Sequence, residues 1–320
     1  MTAGATFAGL SLFPNEHILG SLGRLHFLSG NYHFDSSCKR VTQDMSKLSP
    51  YVVMRPAYKE TAEKLSSIHE MEPEKVLDIS TPIALYRSFL YSSQLQDIAA
   101  NRKIYIPDNL RNMNHASSWR WCPCCAQDDL DNYGIPYWRL EHQLPSVCRC
   151  STHLVSLHCN CISCTTSSSV VRHNLVPPLD TRCGHCNNDT RASSKPAGHE
   201  LDWLEEAIQG IVNGSVSLPP MERTRERIQQ ALGIDDAKMI TTVSGRKAYA
   251  EIRNKLVKAV DHEVLDRVVR VNTRVSPQMA VILFNLQKIL FRTNYTPGPI
   301  IILLIVQALF GSLAAYVGSN

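Results

Sequence analysis

The sequence predicts a mainly α protein, in which helical, helix-turn-helix-like N- and C-terminal regions flank a small double zinc-finger, or zinc-ribbon, region. Apolar residues recur at helical spacing through the first 110 residues and again beyond Leu201. The cysteines follow a different rule: of 11, only Cys38 lies outside the stretch from Cys122 to Cys186. Joints rich in serine, glycine or proline fall at 165–169, 192–199 and 214–220. These breaks give an N-terminal helical domain at 1–118, a tandem zinc-finger region at 119–190 and a C-terminal helical domain at 200–320.

At 320 residues the chain is long enough to bury ordinary cores, so metal sites add to a globular protein rather than replace its core. A hydrophobic fraction of 44% against 19% charged residues places it among folded proteins. The net charge of +4 permits contact with nucleic acid without demanding it. The first twelve residues lack a basic stretch ahead of an apolar core, so no secretory signal is read there, and a reducing cytosol is the expected compartment. Residues 300–317 are almost wholly apolar and approach bilayer-spanning length. Gln307, Gly311 and Ser312 interrupt them, which favours a buried core helix over a membrane anchor.

In order along the chain, Asn15 is placed to cap a helix with Ile18, Leu19, Leu22 and Leu25 on its apolar face, ended by Gly30. Helices follow at 58–68, after Glu72-Pro73, and at 82–95. From 119 to 188 neither helical nor strand periodicity is evident. Helical patterning returns at 203–212, 222–232 ending at Gly233, 248–260, 263–271 and 277–290, the last capped by Ser276 ahead of Pro277.

Cys122-Pro-Cys-Cys125 supplies two sulfurs with two residues between them, a spacing that lets both face one ion, and Cys150-Ser-Thr-His153 repeats it with a nitrogen. Cys161-Ile-Ser-Cys164 and Cys183-Gly-His-Cys186, 18 residues apart, form a second set. Zinc suits both, because it accepts thiolate and imidazole tetrahedrally without geometric demands of its own. Cys124, Cys148 and Cys159 remain over; Cys148 could replace Cys150, and Cys159 could replace Cys161. The sets above keep the two-residue gap in every pair. His142, His158 and His185 read as surface or supporting groups. A catalytic zinc needs an open position and an acid or base such as Glu141, whereas two sets of four protein ligands read as closed, structural zinc sites. No nucleophile motif, phosphate-binding glycine loop or H-E-x-x-H helix is present in the sequence.

The run Trp121-Cys-Pro-Cys-Cys125, then Tyr137-Trp-Arg-Leu-Glu-His-Gln-Leu-Pro145, Cys150-Ser-Thr-His153 and Cys161-Ile-Ser-Cys164, resembles the TniQ/TnsD family of bacterial transposon target-selection proteins. Phe13-Pro-Asn-Glu-His-Ile-Leu-Gly-Ser-Leu-Gly-Arg24 and Leu28-Ser-Gly30 are similar to that family's N-terminal helix. Ser146 departs from it, standing where glycine is usual. The resemblance covers the first 165 residues and implies a non-catalytic adaptor that links a chosen DNA site to an AAA+ regulator of the TnsC type and so to the transposase. It further implies a nucleoid-associated bacterial protein, targeted by attachment-site DNA or by docking, as a homodimer, on a CRISPR Cascade complex with guide RNA. The chain's length favours the Cascade-docking members. A zinc-dependent transcription regulator is the alternative reading, and a zinc hydrolase a more distant one.

The C-terminal third carries Arg223, Arg225, Arg227, Arg246, Lys247, Arg253, Lys255, Lys258, Arg267, Arg270 and Arg274. Such side chains can neutralise phosphates, and 222–232 with the next helix could form a helix-turn-helix, while the many acidic residues alongside make solvated helix faces at least an equal explanation. Arg246, Lys247 and Arg253 are the expected DNA contacts.

Overall fold

The computed structural model describes residues 10–45, 48, 50, 56–99, 118–161, 163–164, 170–192, 202–234, 241–260, 286–292, 295 and 298–318. The fold is mainly helical, with one two-stranded antiparallel sheet among the described residues. The chain divides into two compact units, one from 1–84 with 115–199 and one from 85–114 with 200–320. The joint at 165–169, most of that at 192–199, the helix expected at 263–271 and the start of the one at 277–290 lie outside the described residues.

The first unit begins with α1 (Ile18–Ser29), α2 (Phe34–Cys38), α3 (Pro56–His69) and α4 (Pro73–Ser80). Gly30 ends α1 at φ 66°, as the sequence reading expects, and Pro73 opens α4. The cap of α1 differs. His17, not Asn15, fills it, its Nδ1 accepting from the Leu19 amide at 3.2 Å. Asn15 is committed elsewhere: at φ 57° it turns the chain into an extended pairing with residues 138–140. There its carbonyl accepts from Leu140 N at 2.7 Å, and His17 N donates to Trp138 O at 2.8 Å.

A buried ion pair closes this corner. The Glu16 carboxylate accepts from Arg24 Nε at 2.9 Å, from Arg24 Nη2 at 2.8 Å and from Phe13 N at 3.0 Å. Arg24 also donates to Ser11 O and lies 4.1 Å from the Phe13 ring centroid. Both side chains are withdrawn from water. Burial pushes the Glu16 carboxyl up, against the opposing pull of Arg24.

Further along the same unit lies α7 (Pro123–Tyr133), inside the stretch where the sequence shows no periodicity. Its ends are nevertheless signposted, by Pro123 in the first turn and Gly134 at φ 74° after the last. Short β1 (His158–Cys161) and β2 (Thr190–Ala192) pair antiparallel. Arg120 organises the backbone between α7 and β1 from within. Gln143 Oε1 accepts from Arg120 N at 3.0 Å, Gln143 Nε2 donates to Arg120 O at 2.8 Å, and the guanidinium donates to Val147 O and Leu144 O. The turn between those carbonyls holds Ser146 at φ 63°, a left-handed backbone that favours glycine. Ser146 Oγ is buried with no hydrogen-bond partner among the described residues.

The second unit holds α5 (Ile83–Arg87) from its third residue onward, α6 (Ser92–Ala99), α8 (Asp202–Val212), α9 (Met221–Leu232), α10 (Val243–Ala259), α11 (Leu286–Phe291), α12 (Pro299–Phe310) and α13 (Leu313–Gly318). The single helix expected at 82–95 is two, because Gln94 Oε1 reaches back to Tyr91 N at 3.0 Å and starts a new helix. The apolar stretch at 300–317 likewise breaks, at Gly311 with φ 75°. Residues Pro299 to Val306 of α12 are buried, with α9 and α10 packed on that helix. Among the described residues, no helix is long and apolar enough to cross a membrane.

Two stability outcomes follow. Arg24→Met is expected to cost about 3–5 kcal/mol in denaturant unfolding, because it strands a buried carboxylate; Glu16→Leu with Arg24→Met should recover much of that loss. Ser146→Gly is expected to raise stability by about 1 kcal/mol, since it relieves a left-handed backbone and removes an unpartnered hydroxyl. An unchanged or lower midpoint for Ser146→Gly would contradict the account of that turn.

Candidate metal centre

The first cluster joins a helix start to a loop. Cys122 is the N-cap of α7, with extended backbone at φ −106° and ψ 122°, and Cys125 sits one turn in. Cys150 and His153 come from a tight turn beyond the Arg120 clamp. Cys125 Sγ is 3.4 Å from Cys150 Sγ. His153 Nδ1 lies 3.6, 3.3 and 3.6 Å from the sulfurs of Cys122, Cys125 and Cys150. The three cysteines are buried and the histidine partly so.

The second cluster is Cys161 at the end of β1, Cys164, Cys183 and Cys186, all partly exposed. Cys161 and Cys186 sulfurs are 3.4 Å apart, and those of Cys164 and Cys183 3.5 Å. Such separations are far beyond a disulfide bond, and all 11 cysteines are unbridged. Four ligands held at about 2.3 Å around a tetrahedral ion stand roughly 3.8 Å from one another. In each cluster the four ligand atoms lie within 4.8 Å of one another, so both sets fit a single four-coordinate ion.

The two C-terminal half-sites share one backbone design. Leu154 N donates to Cys150 O at 2.9 Å and Cys150 N to Val155 O at 2.9 Å; Asn187 N donates to Cys183 O at 2.9 Å and Cys183 N to Asn188 O at 2.8 Å. The residue after each second ligand is left-handed, Leu154 at φ 56° and Asn187 at φ 56°. Amides also point at sulfur: His153 N at Cys150, Ser163 N and Cys164 N at Cys161, and His185 N at Cys183. Donors aimed at sulfur favour the thiolate, the form that binds metal.

The clusters are coupled through main chain. Trp121, next to Cys122, exchanges both hydrogen bonds with His158 at the start of β1, at 3.0 and 2.8 Å. Trp121 Nε1 donates to Asp180 O, and His158 Nδ1 meets Thr190 Oγ1 at 3.0 Å.

All eight sequence-predicted ligands are thus brought together in two fours. Cys124 is exposed on α7 and Cys148 is buried with its sulfur 3.6 Å from Ser146 O. Cys159 is on β1, partly exposed, in the stretch between His158 and Cys161 where the pairing with β2 is irregular. Glu141 is engaged by Ser151 Oγ at 3.1 Å and Arg139 at 3.5 Å. The sequence reading missed Asp128, whose Oδ2 is 3.1 Å from His153 Nε2. Its signal was present as a repeat of three along 122, 125 and 128.

Of the expected DNA contacts, Arg246 and Lys247 are exposed on α10 and Arg253 is partly buried. Arg227 departs from the basic-surface reading: it is buried, donating to Tyr316 O at 2.7 Å. Arg225 lies over the Tyr91 ring and Arg223 pairs with Glu226. Arg267, Arg270 and Arg274 lie outside the described residues.

In comparison with known proteins, residues 8–157 match the family described as TniQ. No curated protein matches the chain. The matched region includes the first cluster whole and ends before the second.

Burial is expected to separate the two centres kinetically. Chelator added to metal-loaded protein is expected to withdraw metal in two phases, the fast one from the partly exposed four-cysteine cluster. Cys186→Ser should abolish the fast phase and leave the first unit folded, whereas Cys125→Ser should abolish the slow phase and destabilise that unit. A single phase unaffected by Cys186→Ser would contradict this order.

Proposed function

We propose that this chain, whose residues 8–157 match the TniQ family, has a role in selecting targets during DNA transposition and acts there as a non-catalytic adaptor. It would connect a DNA-targeting complex to an AAA+ regulator of the TnsC type, and through it to the transposase. The observation that carries this reading is the family match, joined to two clusters of four ligand atoms, each set lying within 4.8 Å and so able to hold one metal ion. A closed tetrahedral ion presents no site for activated water, so its work is to hold the platform together. The chemistry of the donors, thiolate and imidazole, suits zinc in both places.

Within this proposal the N-terminal helical domain at 1–118 and the zinc-finger region at 119–190 make the docking platform. The C-terminal domain at 200–320 makes the DNA contact, through Arg246 and Lys247 on α10, with Arg253 on the same helix. Targeting is by docking on a Cascade complex with its guide RNA, the chain acts as a homodimer, and the compartment is the bacterial cytoplasm at the nucleoid. The exposure of Arg246 and Lys247 supports phosphate contact and names no base.

The test is reconstitution. With transposase, AAA+ regulator and Cascade present, insertion at the guided site is expected only when this chain is included, and tagged chain should retain Cascade and guide RNA on purification. Specific binding to an attachment-site duplex without Cascade, persisting as salt rises, would replace docking by direct reading. Arg246→Ala with Lys247→Ala should weaken duplex binding evenly across sequences and reduce the salt slope by about two. Insertion that proceeds equally well without the chain would overturn the adaptor role.

A further inference from the structure

The first cluster has a fifth participant. Along α7, Cys122, Cys125 and Asp128 recur every three residues, which keeps them on one side of the helix. The His153 ring lies between them and the Cys150 turn, with its two nitrogens in different surroundings. Nδ1 faces the sulfurs of Cys122, Cys125 and Cys150 at 3.6, 3.3 and 3.6 Å, while Nε2 is 3.1 Å from Asp128 Oδ2. A neutral imidazole carries its hydrogen on one nitrogen only. With the hydrogen on Nε2, directed at the carboxylate, the Nδ1 lone pair is free for a metal.

We infer that Asp128 is a positioning residue for the metal, holding His153 in the tautomer and orientation that present Nδ1 to the ion. The inference rests on the reading of Cys122, Cys125, Cys150 and His153 as one metal site. Asp128 touches none of the sulfurs and acts through the ring alone. A carboxylate behind a ligating histidine fixes its ring and raises its basicity, and loss of such a partner lowers metal affinity by about 10- to 100-fold. The neighbouring acids have other employment. Asp129 is buried and bonded to Arg139 at 2.7 Å, and Asp131 accepts from Gln127 Nε2 at 2.9 Å on the exposed side. Asp128 is itself half exposed, at 51%, so its replacement leaves no cavity. Asp131→Ala therefore removes an equal charge from the same helix without touching the ring.

The competing account is a surface ion pair that forms only when His153 is protonated, with no bearing on metal. The full chain distinguishes the two by zinc titration against a chromophoric chelator, with cobalt(II) absorption as a report on ligand geometry. Asp128→Ala is expected to weaken one of two zinc equivalents by about 10- to 100-fold and to change the cobalt spectrum of that equivalent. Asp131→Ala should leave both unchanged. Asp128→Asn, which keeps an acceptor for Nε2–H, should fall between Asp128→Ala and the unaltered chain and keep the unaltered spectrum. Two normal equivalents and an unaltered spectrum in Asp128→Ala would overturn the role of Asp128 and leave the metal site standing. If Cys125→Ser removes no equivalent from the chain, the site and the inference fall together.

Discussion

The close approach of α1 to the segments around Trp138 and Leu175 is the constraint on which the first unit rests. It is possible only because α1 presents Gly20 and Gly23 on that face. A Cβ at Gly20 would stand 2.8 Å from Trp138 Cβ, and one at Gly23 would stand 2.4 Å from the Leu175 carbonyl oxygen. Neither position tolerates a side chain without movement, and at Gly23 the obstacle is backbone. The metal-organised stretch is therefore no appended finger. Trp138 packs against Trp119 with ring centroids 5.0 Å apart, donates to Asn174 O at 3.0 Å and offers its own carbonyl to His17. One residue thereby ties the start of α1, the approach to the first cluster and the loop before the second.

That arrangement explains why the polar groups of this corner are costly to separate. Glu16 and Arg24 are placed by the same turn that pairs residues 14–17 with 138–140, and their charges are met by each other and by main chain. Arg120 serves the same end in the ligand-bearing loop, capping carbonyls that no helix or strand uses. Burial of these groups makes the backbone path specific, since a shift in either segment leaves a charge or carbonyl without a partner.

Much of this was legible in the sequence, but only where the signal is local. The ligand pairs could be found by counting, because each knuckle closes within four residues. Gly30 and Gly233 were readable as helix ends for the same reason, both being left-handed just past the last turn. Two of the failures involve a distant partner. Asn15 looks like a cap until residues 138–140 claim its backbone, and Arg227 looks like a surface cation until Tyr316, 89 residues on, supplies its acceptor. The helix α7 escaped detection because its inward face is made of ligands and an acid, Cys122, Cys125 and Asp129, where periodicity analysis expects hydrocarbon.

The shared backbone of the turns after Cys150 and Cys183 separates ligand identity from chain geometry. The same loop accepts histidine at 153 and cysteine at 186, so the choice between them alters the charge of the finished centre and little else. With a divalent ion bound, three thiolates and an imidazole would leave a single net negative charge, on ligands that are mostly buried. Four thiolates leave twice that charge, on ligands open to water. A filled first centre would keep its charge largely within the fold, whereas a filled second one would extend a negative field past the surface, screened by salt and felt by any charged molecule that comes within a Debye length.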